Sequence, residues 1–251
     1  MDELPYEWVK AIEASFLGRL PPRTWRPLFE RARQVQAAPK AILYTETEQE
    51  RTAHLVLVLD GLVRVYRTSR AGREVTLRHA RHGDILGLPS VVAQVSPAAA
   101  QAVIPTRVVA MSAPALRACA QRDSRLAWAM AEEMAGSLFN IQERLAHNVF
   151  APVRGRVARY LLDVAMPNPD DPTAASGHPT IAASQAPIAA ASHEDIAAAI
   201  GTVREVVART LAAFRDEGLT RRSDAGIILA DLDGLRAVAQ SDEFRDFRSR
   251  P

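Results

Sequence analysis

The chain has 251 residues, of which 48% are hydrophobic and 24% charged, and its formal net charge is +2. This length and balance are ordinary for a globular protein with one large or two small domains. There is no run of 18 apolar residues, no secretory pattern at the acidic N-terminus and no cysteine besides Cys119. We therefore expect a cytoplasmic protein without a membrane partner, a disulfide framework or a cysteine-based metal site.

The first segment, residues 5–35, has the apolar spacing of helices, with a break at Pro21–Pro22. The large apolar side chains at that spacing are the expected core of this segment. They are Trp8, Ile12, Phe16, Leu17, Trp25, Leu28 and Phe29.

From about residue 41 to residue 113 the pattern changes to short β-type runs separated by turn residues. Two of these runs, LVLVLDG and LVRVYR, meet at Asp60–Gly61, which predicts a two-residue β-hairpin. The segments SRAGRE and RHGD predict further turns. Residues 98–112 supply more strands, although Pro97 and the alanines after it are poor strand formers. Strands at this spacing predict a closed roll or barrel.

A helical region is predicted from Ser112 or Pro114 to about Val149. Apolar residues recur there at steps of three and four over about 24 residues, or roughly 35 Å. Because this is long for one small domain, we interpret the stripe as a seam shared with a second copy of the chain. The stripe consists of Leu126, Met130, Met134, Leu138, Ile141, Leu145 and Val149.

Two later segments have the composition of irregular structure. Residues 167–192 are rich in Pro, Ala, Ser and Asp, which predicts a loop or mobile insertion. The charged C-terminal residues 241–251 are expected to be frayed.

Between these segments lie two predicted amphipathic helices joined by a tight turn. Ser192 is placed to cap the first helix, with Asp195 near its positive end. Gly201 supplies the sharp turn, and a second helix is predicted from about Val203 to Glu217. Its apolar face is formed by Val206, Val207, Thr210, Leu211 and Phe214.

The opposite face of the second helix carries Arg204, Glu205 and Arg209 near its N-terminus. One interpretation is an ordinary surface αα-hairpin whose charges form a solvated ion cluster. The other is a DNA-recognition helix, with one packed side and a short polar face that enters the major groove. The neighbours favour the second, since Gly218 can end the helix and LTRRSDAGIILAD predicts strand, turn and strand with Arg221 and Arg222 at the start.

The chain resembles the Crp–Fnr family of transcription regulators. GTVREVVARTL, EGLTRR and GIIL are similar to that family's winged helix, GRVARYLLDVA to the helix that opens its DNA-binding domain, and much of residues 55–87 to its sensor barrel. The resemblance implies an α+β protein with an N-terminal β-roll or jelly-roll sensor domain (residues 1–115), a dimerisation helix (116–150) and a C-terminal winged helix-turn-helix (151–251).

The resemblance implies that Arg204, Glu205 and Arg209 touch base edges in the major groove. Arginine offers two parallel N–H donors to O6 and N7 of guanine, and glutamate accepts from N4 of cytosine. Thr202 and Arg222 are expected to contact phosphates, which position the protein without reading sequence.

The resemblance also implies the partners. A homodimer would present two recognition helices about 34 Å apart to double-stranded DNA, so the site should be a palindrome. Contact with RNA polymerase stays open. Val203 departs from the small hydroxyl residue often present in the family just before the arginine, so the phosphate contact of that hydroxyl is not expected here.

The sensor segment resembles a cyclic-nucleotide cassette that lacks its decisive residues. Gly83, Asp84 and Gly87 match the family pattern. Leu88 stands where a ribose-binding Glu is expected, and Ala98 where the phosphate-binding Arg is expected. Because a buried phosphate needs that charge, we expect no cAMP binding in the usual manner. The remaining members of the expected effector pocket are Leu86, Ala99 and, on the long helix, Ile141 and Gln142.

The effector itself is left open between a small apolar molecule, haem and none. Cys119 alone cannot hold an iron–sulfur cluster. His79, His82 and His147 are the histidines near the expected pocket or long helix, but the haem-ligating positions of the CO-sensing branch are Gly87 and Pro89 here.

Two other classes of protein remain as alternatives. One is a ligand-binding regulatory module that acts on a protein partner and has negligible DNA affinity, and another is a haem-based gas-sensing form of the regulator. An enzyme is not expected, because the sequence contains no P-loop, nucleophile elbow, H-E-x-x-H pair or G-x-G-x-x-G opening a helix.

Overall fold

The computed structural model describes residues 4–46, 54–72, 74–166, 186–224 and 226–240. The chain divides into two compact units, residues 1–142 and 143–251. The first unit combines helices with two antiparallel sheets, and the second combines helices with one small sheet, which confirms the α+β class. No helix within these described residues is both long and apolar enough to cross a membrane.

The N-terminal residues form short helices whose apolar side chains are buried, as predicted. All seven of the expected core residues are buried, and the rings of Trp25 and Phe29 meet edge to face at 5.9 Å. The helical prediction is wrong at its end, because a strand begins at Arg33 and pairs with residues 106–110. The elements are α1 (Tyr6–Ala14), a 3-10 turn (Phe16–Arg19), α2 (Pro22–Trp25) and a second 3-10 turn (Arg26–Leu28).

Two four-stranded antiparallel sheets follow, in the orders β1-β8-β3-β6 and β2-β7-β4-β5. Apolar side chains fill a core that both sheets share, among them Tyr44, Val58, Val65 and Val108. The roll predicted from the short runs is therefore present. Its strands are β1 (Arg33–Ala37), β2 (Ile42–Tyr44), β3 (His54–Asp60), β4 (Val63–Thr68), β5 (Glu74–Ala80), β6 (Ile85–Leu86), β7 (Ala99–Ala102) and β8 (Thr106–Ser112), with helix α3 (Leu88–Ala93) between β6 and β7.

Strand β3 is buried on both faces. Leu55, Leu57 and Leu59 pack into the core formed with the N-terminal helices. Val56 and Val58 point the other way, into the core between the sheets. This double burial explains why the strand is a continuous apolar run rather than an alternating one.

The hairpin predicted at Asp60–Gly61 is wrong. Strand β3 pairs with β6 and β8, whereas β4 pairs with β5 and β7, so the chain passes from one sheet to the other at this point. Gly61 allows the passage with φ +100°, and a Cβ there would lie 2.7 Å from Thr106 Cα. The predicted turn at SRAGRE is confirmed, since β4 and β5 pair from Val63↔Ala80 to Thr68↔Glu74.

The helical region that starts at Ser112 is two helices, α4 (Ala113–Arg122) and α5 (Ser124–Phe150). Ser112 caps α4, its hydroxyl accepting a hydrogen bond from Ala115 N–H at 3.2 Å. The unpredicted break lies at Asp123, whose backbone is extended (φ −126°, ψ 103°). Its carboxylate accepts hydrogen bonds from the Arg125 backbone and the Thr24 hydroxyl, which holds the start of α5 against the N-terminal helices.

The second unit has a four-stranded antiparallel sheet in the order β11-β12-β10-β9. Strand β10 lies inside the predicted loop 167–192, so that prediction is wrong at this point, and residues 167–185 lie outside the described residues. The predicted frayed tail, 241–251, also lies outside them, and the helix before it was not predicted. The elements are α6 (Val153–Val164), β9 (Ala165–Met166), β10 (Ile188–Ala189), α7 (His193–Ile200), α8 (Arg204–Asp216), β11 (Thr220–Ser223), β12 (Gly226–Leu229) and α9 (Leu232–Ala239).

Candidate nucleic-acid interface

Helix α7 begins and ends at the residues that the sequence predicts. The Ser192 hydroxyl accepts from Asp195 N–H at 3.1 Å, while the Asp195 carboxylate accepts from Ser192 N–H at 3.0 Å. This reciprocal capping box satisfies backbone donors that have no partner inside the helix. At the other end Gly201 adopts φ +69°, in the left-handed region, and turns the chain toward α8.

Helix α8 packs one face into the second unit and leaves the other in solvent. Val207, Leu211 and Phe214 are buried, and the backbone after the helix turns at Gly218, with φ +76°. Val203 precedes the helix without a side-chain capping bond. The start of the helix, where Arg204 and Glu205 lie, therefore has no side-chain cap for its first N–H groups.

The polar face of α8 is free for a ligand. The side chains of Arg204, Glu205 and Arg209 are exposed, and none forms a hydrogen bond or an ion pair with another described residue. The alternative of an internal ion cluster therefore has no support in the described structure. Two unengaged guanidinium groups can each present two parallel N–H donors to an acceptor pair.

The predicted wing is present beside this helix. Strands β11 and β12 pair antiparallel, with Arg222 opposite Ile227, and both Arg221 and Arg222 are exposed. Thr202, in the turn between α7 and α8, is half-buried and donates its N–H to Ala197 O at 3.0 Å.

Strand β10, which sequence reasoning missed, anchors the wing. It pairs with β12 on one side and with β9 on the other. Gly226 lies at the crossing, where an added Cβ would be 2.5 Å from the Ala189 carbonyl oxygen. This close approach fixes the wing against β10. In the sequence, the glycine that opens GIIL is the feature that could have indicated it.

Helix α6 holds α8 in place through Arg154, a second contact that the sequence did not reveal. The Arg154 guanidinium lies 4.8 Å from the centre of the Phe214 ring and forms an ion pair with Glu217. The hydrogen bond from Arg154 lowers the pKa of the Glu217 carboxyl. A stacked cation and its carboxylate partner thus fix the C-terminal end of α8.

The long helix α5 presents a different stripe from the predicted one. Leu126 and Met130 are 0% and 4% exposed in the core of their own unit, and Met134 packs against the same core. Leu138, Leu145 and Val149, by contrast, are 54%, 63% and 64% exposed. The predicted stripe advances mainly by fours, so it drifts around the helix from a buried face to an exposed one.

An exposed stripe of α5 follows a strict heptad alternation of three and four residues. We call it the α5 seam, and Trp128 at its start is 68% exposed. All seven of its members are exposed: Trp128, Ala131, Ala135, Leu138, Gln142, Leu145 and Val149.

The expected effector pocket is built from turn and core residues. Gly83 and Gly87 adopt φ +85° and +94°, and the Asp84 carboxylate accepts a hydrogen bond from Arg81 N–H at 2.8 Å, within its own turn. Leu86 is buried in the core between the sheets. Burial in the same core raises the pKa of the Tyr44 hydroxyl to about 12, as expected for an apolar interior.

The positions that hold the nucleotide in the family pattern carry side chains that cannot bind one here. Leu88 is buried in the core formed with the N-terminal helices, apart from the core between the sheets. Ala98 packs against the edge of the core between the sheets and Ala99 is buried, so neither offers a donor. Ile141 and Gln142 are both exposed on α5. The residues present do not fit a cyclic-nucleotide phosphate, because no cation replaces the missing arginine among them.

Comparisons with known proteins cover both units. The family model of the cyclic nucleotide-binding domain matches residues 34–123, and that of the Crp-like helix-turn-helix domain matches residues 155–238. The chain is 31% identical over 204 residues to the transcriptional regulator LdrP of Thermus thermophilus, covering 81% of this chain and 95% of LdrP. It is 27% identical over 192 residues to the cAMP-activated global transcriptional regulator Vfr of Pseudomonas aeruginosa, covering 74% of this chain and 84% of Vfr.

A solved structure shows the same similarity. The crystal structure of TTHB099, a transcriptional regulator of the CRP family from Thermus thermophilus, superposes with a TM-score of 0.64 at 27% identity. The match covers 82% of this chain and 96% of TTHB099.

Proposed function

The chain belongs to the Crp–Fnr family of transcription regulators, and from that membership we propose that it binds an inverted-repeat operator as a homodimer, gated by an effector other than cAMP. Its relatives are transcription regulators rather than enzymes. In this proposal residues 1–115 form the sensor, 116–150 the dimerisation helix and 151–251 the DNA-binding domain.

The observation that carries the proposal is the unengaged polar face at the start of α8. Arg204 and Arg209 would each donate two hydrogen bonds to O6 and N7 of a guanine, and Glu205 would accept from N4 of a cytosine. Because these side chains have no partner within the described chain, binding does not first have to break an internal contact. Each bidentate pair contributes roughly 1–3 kcal/mol of discrimination against the wrong base.

Phosphate contacts would come from the turn and the wing. Thr202 lies between α7 and α8, and Arg222 is exposed on β11. Contacts of this kind set the register of the protein on the duplex but carry no sequence information. Their loss should therefore weaken binding to all sequences alike.

A second copy of this chain is the proposed partner of the α5 seam. The helix has 27 residues, so it is about 40 Å long, and the α5 seam, apolar except at Gln142, has the heptad spacing of a two-stranded coiled coil. Exposed Leu138, Leu145 and Val149 are unusual for a lone helix in water. Two recognition helices related by the resulting two-fold axis would read half-sites about 34 Å apart.

For the effector, the proposal is a small apolar or haem-like molecule. Vfr is cAMP-activated, but the residues that would hold the ribose and phosphate are Leu88, Ala98 and Ala99 in this chain. An effector acts only if it favours one dimer arrangement over another.

The experiment that tests this function is selection of bound duplexes from a random library by the full-length protein. The selection is run with buffer, with cAMP and with cell extract. We expect an inverted repeat in every arm, cAMP to change neither motif nor yield, and extract to raise the yield if it supplies the effector. Equal binding of all duplexes in moderate salt would contradict the proposal and favour a module that acts on a protein partner.

A further inference from the structure

A cleft lined by arginines lies in the second unit, and none of its lining residues belongs to α8. It is formed by the last turns of α5, by α6 and by the end of α7, and it is open to solvent on one side. Its charged lining residues are Arg144, Arg156, Arg159 and Asp163, joined by His147. We call it the arginine cleft. Its lining has three guanidinium groups and a single carboxylate, so its charge balance favours an anion.

The ion pairs that join this carboxylate to two of the arginines are long. Asp163 lies 3.6 Å from Arg144 Nη1 and 3.5 Å from Arg159 Nε, both longer than a normal charge-assisted hydrogen bond. The side chains of Arg144 and Asp163 are only 22% and 27% exposed. Partial removal from water strengthens the electrostatic attraction that an anion would feel there.

Arg156 supplies a further donor. Its Nη1 donates to the Ile200 carbonyl oxygen at 2.7 Å, which fixes the guanidinium against the C-terminal end of α7. Its Nε is buried and has no hydrogen-bond partner in the described part of the chain. A buried donor in this state is unfavourable, and a shift of the side chain that brings this N–H to an anion in the cleft would remove the penalty.

We propose that the arginine cleft binds a small tetrahedral oxyanion, with inorganic phosphate as the representative ligand. Guanidinium groups match the oxygens of phosphate in bidentate geometry, and two or more arginines around one anion is the usual arrangement for such recognition. The ligand would bridge the end of α5 to α6, beside α7, and so stabilise the second unit. The site is independent of the proposed DNA contacts, since it contains none of their residues.

The test is titration of the full-length protein with inorganic phosphate, against chloride at equal ionic strength, by calorimetry and thermal unfolding. We expect phosphate-specific heat of binding and a rise in Tm that chloride does not give. Arg144→Gln and Arg159→Gln should each weaken binding at least about tenfold. Asp163→Asn should tighten it, because the competing negative charge is removed. Arg215→Gln, on α8 and outside the cleft, should leave it unchanged.

The opposite response of the Asp163 variant separates a ligand site from a structural ion network. If Asp163→Asn weakens binding as the arginine variants do, or if phosphate acts no differently from chloride, the proposal is overturned. If a glutamine variant does not fold, Arg159→Lys replaces it. This variant keeps the positive charge but loses the planar guanidinium group, so it should also weaken phosphate binding. A second titration uses a DNA duplex that contains no palindrome in place of inorganic phosphate. It distinguishes binding of DNA-backbone phosphate from binding of free phosphate. Loss of duplex affinity without loss of free-phosphate binding in Arg144→Gln would also overturn it.

Discussion

The winged helix and the sensor roll have kept different parts of the same family pattern. In the winged helix the cap at Ser192, the turn at Gly201 and the exposed Arg204 and Arg209 are all present. In the roll the turn glycines remain, but apolar residues occupy the positions that would recognise a nucleotide, as at Leu88. The difference teaches that a fold is set by its turns and core, whereas the ligand it can hold is set by a few side chains at separate positions.

The largest expected effect lies at the α5 seam, because the proposed two-fold axis depends on it. The double variant Leu138→Glu and Leu145→Glu places like charges where two copies would pack. We expect a monomer at micromolar concentration and at least about a hundredfold weaker binding to an inverted repeat, because two linked half-site contacts become one. Sedimentation velocity and gel shift measure the two quantities.

Asn140→Glu is the control for that variant, since it adds a negative charge on the exposed surface of α5 outside the seam. It should remain dimeric. A double variant that stays dimeric would show that the second copy packs elsewhere. It would contradict the proposal that α5 forms the dimer contact between the roll and the winged helix.

The next effect tests the winged helix alone. Arg204→Ala or Arg209→Ala should each reduce the preference for the selected site over random duplex by about 10- to 100-fold, while weak salt-sensitive binding persists. Arg215→Ala, at the far end of the same helix, should change nothing. Full selectivity of either variant in a competition gel shift would remove the proposed recognition role.

Arg222→Ala tests whether the wing contacts only DNA phosphates, in contrast to the base contacts proposed for α8. It should weaken binding to selected and random duplexes by the same factor and reduce the slope of log K against log salt by about one. A change in sequence preference would mean that the wing reads bases.

The smallest effect concerns the ion pair between Arg154 and Glu217 at the end of α8. Because Arg154 lowers the pKa of Glu217 in the folded protein, that contact contributes fully above the ordinary glutamate value of 4.5 and is lost as the pH falls through the lower folded value. Wild type should therefore lose slightly more Tm than Glu217→Gln on going from pH 6 to below pH 4, since the pair is exposed. Thermal unfolding across that range measures it, and identical slopes would mean that the pair is inert.

Local chemistry made the winged helix predictable from its sequence. A capping serine with an acid three residues later, a glycine and a helical apolar period each determine structure within a few residues. Helices α7 and α8 accordingly lie within one residue of their predicted ends at Ser192 and Val203.

Long-range pairing made the rest unpredictable. The runs on either side of Asp60–Gly61 have the pattern of a hairpin, but nothing local says that each strand pairs in a different sheet. Similarly, no local rule distinguishes Leu126, buried in its own unit, from Leu145, exposed to solvent, because the packing of α5 decides which face is covered. The break at Asp123 depends on Thr24, 99 residues earlier in the chain.

Strand β3 has a consequence for how the first unit unfolds. Because Leu57 belongs to the helical core and Val58 to the core between the sheets, neither core can melt without exposing the other. The amides of β3 should thus be among the slowest of the unit to exchange with deuterium, and only when both layers open together. Deleting the N-terminal helices would expose the leucine side chains of β3 to solvent, so we expect the shortened first unit to aggregate.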